Sequence, residues 1–245
     1  MIEYLVIGDK MDLITIEKNK FFIEKYGYVN IVFSTGESRL DFNKNNEVGM
    51  SNILKLREWF NISDIGYLNQ IHGDNIHVYD GEISDGDGLI TTKRKVGIGI
   101  FTADCVPILL FDPEKDVICS VHSGWKGTFN KIAAKAVEKM VLEFGSSPLD
   151  IQVRIGPHIR DCCYQVSTEL MDHFLEDDLY DSSIRVKDRL SLENCIIAQL
   201  KFQKIKKENI KSLNMCTYCE DEIKLYSYRK STLRYGRMFS FIYLT

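Results

Sequence analysis

Three apolar runs frame this chain: Val96–Phe101, Val106–Phe111 and Val117–Val121. Only a short segment ending in Ala103-Asp104-Cys105 and the polar Asp112-Pro113-Glu114-Lys115-Asp116 separate them. The proline of the second connector suits a type I turn, so the last two runs read as a hairpin. His122 and Ser123-Gly124-Trp125-Lys126-Gly127-Thr128 then lead into a helical pattern with Ile132, Ala133, Ala136, Val137 and Met140 on one face. A thiol, Cys105, and an imidazole, His122, thus sit at strand ends on either side of a hairpin, beside a glycine-rich helix start. Such places are where α/β folds put chemistry.

The remaining elements follow from the same patterns. Glu3–Ile7 and Leu13–Glu17 read as a hairpin turned by Gly8-Asp9-Lys10, and Ile31–Thr35 as a strand. A helix is expected over Glu47–Phe60, and short strands over Tyr67–Ile71 and Ile76–Tyr79. Gly86-Asp87-Gly88 is a turn before Leu89–Thr91, and Ile151–Ile155 is a strand. Ser167 caps a helix to Leu175, a longer helix covers Leu190–Ile205, and Ile223–Tyr228 and Arg237–Tyr243 close the chain as strands. The polar stretch Glu176–Lys187 reads as a surface loop. With no repeat or linker, residues 1–245 are expected to form one α+β domain with a mixed β-sheet, because the hairpins argue against a purely parallel one.

A chain of 245 residues can bury a sizeable core. Its net charge of -4 offers no general attraction to nucleic acid or anionic membrane. The first residues carry acidic groups and no basic segment, unlike a signal peptide, and no apolar stretch approaches a membrane span. Seven cysteines, an odd number, read as reduced thiols of a cytoplasmic protein.

Of the five histidines, His72 lies in Asn69-Gln70-Ile71-His72-Gly73-Asp74, between two strand-like stretches. His72, His122 and Cys105 would offer two imidazoles and one thiolate to Zn²⁺, leaving a fourth position open as in catalytic sites. Inert buried side chains are the rival reading, since the spacing is irregular. His77 alternates with Ile76 and Val78 and is read as outward-facing. His158 follows Gly156-Pro157 at a strand end and is a candidate for substrate contact or for supporting the metal. Lys126 at a helix start, and Arg229 and Arg237 flanking a turn, suit an anion such as phosphate. Cys162-Cys163 is read as packing, and Cys216-Thr217-Tyr218-Cys219 as a CxxC without a partner pair, so no metal is assigned there.

Five motifs occur in order: Gln70-Ile71-His72-Gly73, Asp87-Gly88-Leu89-Ile90-Thr91, Thr102-Ala103-Asp104-Cys105-Val106-Pro107, Val121-His122-Ser123-Gly124-Trp125-Lys126-Gly127 and Ile155-Gly156-Pro157-His158-Ile159. Cys216-Thr217, Tyr226-Ser227-Tyr228-Arg229 and Gly236-Arg237-Met238 follow. In these the chain closely resembles the YfiH/YlmD-like laccase-domain family, also called polyphenol oxidoreductase or multicopper-oxidase-like. The resemblance implies a YfiH-like fold and one zinc ion on His72, Cys105 and His122. It implies a purine nucleoside phosphorylase that cleaves adenosine, inosine, guanosine or methylthioadenosine with phosphate, with adenosine deaminase activity. Asn43 corresponds to an asparagine of the family's S-L-N-L segment and is a substrate candidate. Ile53 stands where the family's N-R pair has arginine, and Lys230 and Tyr235 also depart from the pattern. Asp104 or a histidine is the expected proton shuttle. The rival activities are a cysteine hydrolase or amidase with Cys105 as nucleophile, and a polyphenol oxidase holding copper, which the same ligands bind in vitro.

Overall fold

The computed structural model describes residues 3–7, 11–231 and 236–245. The expected turn Gly8-Asp9-Lys10 and the departure at Tyr235 lie outside the described residues. Four strands open the chain: β1 (Glu3–Ile7), β2 (Met11–Ile16), β3 (Asn19–Tyr26) and β4 (Val29–Ser34). After helix α1 (Glu47–Trp59) come β5 (Asp64–Gly66), β6 (Ile76–Val78) and β7 (Gly88–Thr91), then the longer β8 (Val96–Thr102), β9 (Val106–Asp112) and β10 (Val117–Ser123). The second half holds α2 (Trp125–Phe129), α3 (Ile132–Phe144), β11 (Gln152–Ile155), α4 (Thr168–Leu175), β12 (Arg185–Val186), β13 (Arg189–Leu190), α5 (Leu192–Phe202), β14 (Ile210–Ser212) and β15 (Met238–Leu244).

Two mixed sheets result, with strand orders β1-β2-β3-β4-β15-β8-β5 and β14-β11-β9-β10-β7-β6. Period-two side-chain alternation distributes the strands over three apolar layers. Ile31, Phe33, Ile98, Leu109, Phe111 and Ile118 pack in one cluster between the sheets. Ile108, Leu110, Cys119 and Val121 turn the other way, onto Val137 and Met140 of α3 and Ile196 and Leu200 of α5. Phe21, Val32, Phe239 and Phe241 cover Ile53 and Leu56 of α1. Each such buried side chain contributes roughly 1.5–3 kcal/mol. The α+β expectation and the hairpins therefore hold.

β8 and β9 are consecutive yet belong to different sheets. Ala103-Asp104-Cys105 is the corner where the chain steps from one sheet to the other, and it sets Cys105 at the junction.

The local differences have physical reasons. β3 escapes the sequence reading because Lys20 on one side and Glu24-Lys25 on the other confine its apolar run to Phe21-Phe22-Ile23. Tyr67–Ile71 is not a strand: the Gln70 side chain, not a backbone ladder, docks this segment on β8, with Nε2 donating to Phe101 O at 2.8 Å and Phe101 N donating to Oε1 at 2.7 Å. Ile223–Tyr228 pairs with no sheet strand, although Ile223 and Leu225 reach the core between the sheets. Glu176–Lys187 is more than a surface loop, since Tyr180 and Ile184 are buried in it. The helix expected from Leu190 starts at Leu192, where the Ser191 side chain accepts from Asn194 N. Among the described residues, no helix is long and apolar enough to cross a membrane.

Candidate metal centre and its cleft

Asp87, fully buried at the start of β7, organises the junction. Its Oδ2 accepts the backbone N–H groups of Ile71 at 3.3 Å and Gly73 at 2.6 Å. Its Oδ1 accepts His72 N at 3.1 Å and His122 Nδ1 at 2.7 Å. One carboxylate thus shapes the His72 loop and fixes His122 with its proton on Nδ1. His122 keeps Nε2 for another partner, the arrangement typical of metal-ligating histidines. The loop holds His72 at φ 58, in the left-handed region.

The ligand atoms of His72, Cys105 and His122 lie within 4.8 Å of one another. The two imidazoles meet edge to face with centroids 4.9 Å apart. A Cβ on Gly124 would stand 3.0 Å from Cys105 Sγ and 3.3 Å from His72 Cδ2, so this helix start admits little beyond glycine.

Electrostatics prepare the same group. Burial alone would push the Cys105 thiol up, but the charge of His122 and hydrogen bonds from His122 and His72 bring it down to about 6. Burial would push the His122 imidazole down, but Cys105 and Asp87 raise it to about 9. Burial likewise opposes ionisation of Asp87, yet His122 and the Gly73 and His72 N–H groups hold its carboxyl below the usual range. Without metal, Cys105 and His122 therefore form a thiolate–imidazolium pair at neutral pH. One soft thiolate, two imidazoles and a carboxylate behind one of them are a donor set that fits Zn²⁺ with a position left open.

The group opens on a cleft of about 1580 Å³, above the usual few hundred to 1,000 Å³ of a single-ligand pocket. Of the expected substrate residues, Asn43, Arg229 and Arg237 line it. Arg229 N donates to Asp104 Oδ2 at 2.7 Å, and its guanidinium lies 5.1 Å over the Tyr164 ring. Arg237 N donates to Asp41 Oδ1 at 2.7 Å. Thr217 Oγ1 donates to Asp104 Oδ1 at 2.6 Å. Both Asp104 oxygens are therefore engaged in positioning, with its backbone at φ 92.

Two expected residues lie outside the lining. Lys126 is exposed, with Nζ 5.6 Å over the Trp125 ring. His158 is 1% exposed, and its Nδ1 meets Gly156 O at 2.9 Å. Burial keeps its imidazole below the ordinary value. His77 stays outside the metal group, with Nε2 3.0 Å from Asp85 O. A second group of possible metal ligands is Cys162, Cys163, Cys216 and Cys219. The reading by residue type missed Asp87 as the clamp on both histidines, because it bonds partners 15 and 35 positions away and no local spacing reveals that. It also missed Arg39, Lys44 and Lys224, which line the cleft.

A family model described as multi-copper polyphenol oxidoreductase laccase matches residues 18–245. A purine nucleoside phosphorylase of Clostridium acetobutylicum is 46% identical over 235 residues, covering 95% of this chain and 99% of that one. A purine nucleoside phosphorylase of Borreliella burgdorferi is 34% identical over 73% of this chain and 79% of its own. The crystal structure of the Bacillus licheniformis hypothetical protein YfiH superposes with a TM-score of 0.84 at 27% identity, covering 99% of both chains.

Proposed function

The chain belongs to the multi-copper polyphenol oxidoreductase laccase family, and we propose that it is a zinc-dependent purine nucleoside phosphorylase that also deaminates adenosine. The observation that carries this reading is the convergence of His72, Cys105 and His122 on a cleft that Arg229 and Arg237 also line. The names of the two relatives support the nucleoside and the phosphate. His72, Cys105 and His122 would hold the ion, which when bound supplies Lewis acidity toward substrate or water.

The chain's own residues account for the rest. In phosphorolysis the bond between base and ribose C1′ breaks, and a phosphate oxygen bonds to C1′. Arg229 and Arg237 supply fixed cationic donors for that phosphate, a role suited to a planar guanidinium. Trp125 and Tyr226, both in the lining, offer ring faces to a purine. Asp104 sets the Arg229 backbone, and Asp87 orients His122. The cleft has room for nucleoside and phosphate together. Adenosine, inosine, guanosine and methylthioadenosine are the nucleosides to try. Residues 1–245 are read as one domain, and the odd cysteine count supports a cytoplasmic setting.

Zinc is preferred to copper because only two of the five histidines join the group, fewer than a multicopper centre needs. One observation favours a second reading: Cys105, His122 and Asp87 form a nucleophile–base–carboxylate chain, as a cysteine hydrolase would need. That reading uses His72 only to help hold the Cys105 thiolate, whereas the metal reading uses it as a ligand.

The test is to incubate pure protein with inosine or adenosine, with and without phosphate. Free base and ribose 1-phosphate should appear only with phosphate. Base release indifferent to phosphate would replace phosphorolysis by hydrolysis.

A further inference from the structure

The sequence offered Cys162-Cys163 as packing and Cys216-Thr217-Tyr218-Cys219 as an unpartnered CxxC. The fold makes these two segments each other's partners. Cys162 and Cys163 sit in a turn after β11, where Cys163 N and Tyr164 N both donate to Arg160 O at 2.8 Å. Cys216 and Cys219 sit in a second turn, closed by Glu220 N donating to Cys216 O at 3.0 Å. A backbone bridge between His158 and Cys216 sets the turns side by side. The Arg160 side chain adds a hydrogen bond from Nη1 to Asn214 O at 2.8 Å.

All four Sγ atoms fall within 4.8 Å of one another, and Cys162 Sγ stands 3.7 Å from Cys219 Sγ. Tetrahedral zinc with Zn–S bonds of about 2.3 Å requires S···S edges of about 3.8 Å. The sulfurs are too close together to surround an iron–sulfur cluster and too far apart, at 3.7 Å, to be already bonded as a disulfide. Arg160 N also donates to Cys216 Sγ at 3.5 Å, a backbone N–H to sulfur contact of the kind that supports thiolate ligands. Three of the four residues are at least partly exposed, which leaves an entry path.

We propose that Cys162, Cys163, Cys216 and Cys219 bind a second zinc ion in a closed tetrathiolate site. Zn²⁺ displaces the four thiol protons, and no oxidant or reductant is involved. Four protein ligands and no open position make the site structural rather than catalytic. It cross-links segments more than fifty positions apart, just where Tyr164 supports Arg229 and Thr217 grips Asp104. The site stands apart from the catalytic reading and survives its failure.

The test uses the full chain, expressed with zinc and purified under reducing conditions without chelator. Zinc analysis should give about two ions per chain, one for each ligand group. Cys162→Ser combined with Cys219→Ser should lower the count by one. His72→Ala combined with His122→Ala should also lower it by one, and the zinc that remains should still protect the four cysteines. Wild-type protein gives a readout that needs no variant. Cys162 and Cys219 are exposed, yet in the zinc-loaded protein they should resist alkylation, and they should react once chelator is added. Mass spectrometry maps the modified residues. Prompt alkylation of both in zinc-loaded protein would overturn the proposal. So would a zinc count that the double serine variant leaves unchanged, a disulfide among the four under reducing conditions, or iron in place of zinc.

Discussion

Replacing Asp87 by asparagine changes one atom of the carboxylate and tests its role directly. Each oxygen accepts two hydrogen bonds: Oδ1 from His72 N and His122 Nδ1, Oδ2 from Ile71 N and Gly73 N. An amide has one oxygen, so whichever way it turns, its NH₂ faces two N–H donors. Turned one way it releases His122, and turned the other it loosens the loop that carries His72. A buried donor left unmade costs about 1–3 kcal/mol, and the part-buried backbone N–H groups cost less because water can reach them, so roughly 1–3 kcal/mol of stability is at stake. Loss of the carboxylate behind a metal-ligating histidine typically weakens metal binding about 10–100-fold. Competition with a chromophoric chelator reads the zinc affinity of the first site, and thermal unfolding of the metal-free protein reads the stability. An Asp87→Asn protein with unchanged zinc affinity and unchanged Tm would show that Asp87 orients neither ligand.

Two further outcomes follow from the same geometry. Cys105→Ser, His72→Ala and His122→Ala should each lose one zinc per chain together with phosphorolysis and deamination, whereas Cys119→Ser should keep both, because Cys119 faces the helix side of its sheet; metal analysis beside activity separates the cases, and a metal-free wild type with an essential Cys105 would favour the cysteine hydrolase instead. Zinc binding should also depend on pH: between about 6 and 9 the metal-free pair is thiolate and imidazolium, so zinc must expel the His122 proton, and the affinity should climb about tenfold per pH unit, then fall off more steeply below about 6, where the Cys105 thiol must lose its proton too. Calorimetry in buffers of different ionisation enthalpy counts the protons, and none released from this pair near neutral pH would contradict the charge assignment.

The strands that place the metal group were legible because their signals are local. Val96–Phe101, Val106–Phe111 and Val117–Val121 are apolar runs; Cys105 lies in the break after the first, and His122 follows directly on the third. The corner between β8 and β9 was not legible as a change of sheet, since nothing in Ala103-Asp104-Cys105 tells which sheet the next strand joins. His72 was recoverable from the family motif, but the reason for that motif was not. Gln70 docks on Phe101 and Gly73 on Asp87, contacts that exist only once the loop is folded. His158 misled for the opposite reason. Its strand-end position suggests a surface site, while α5 brings Glu193 to 3.6 Å and closes over it. The four-cysteine cluster was hidden by distance along the chain: Cys216 and Cys219 have the CxxC spacing but no second pair nearby in sequence, the adjacent Cys162 and Cys163 have no such spacing, and only the fold makes one group of them.

Asp104 gives the cleft a property that neither a ligand nor a clamp alone would have. It precedes Cys105 in the chain and its carboxylate accepts the Arg229 backbone N–H, so it is in direct contact with both sides of the cleft. Coupling between two bound ligands is reciprocal. On the proposed function, whatever factor a phosphate held on Arg229 applied to zinc affinity, zinc would apply to phosphate affinity in equal measure. A titration of either one at several fixed concentrations of the other would read that factor from both sides.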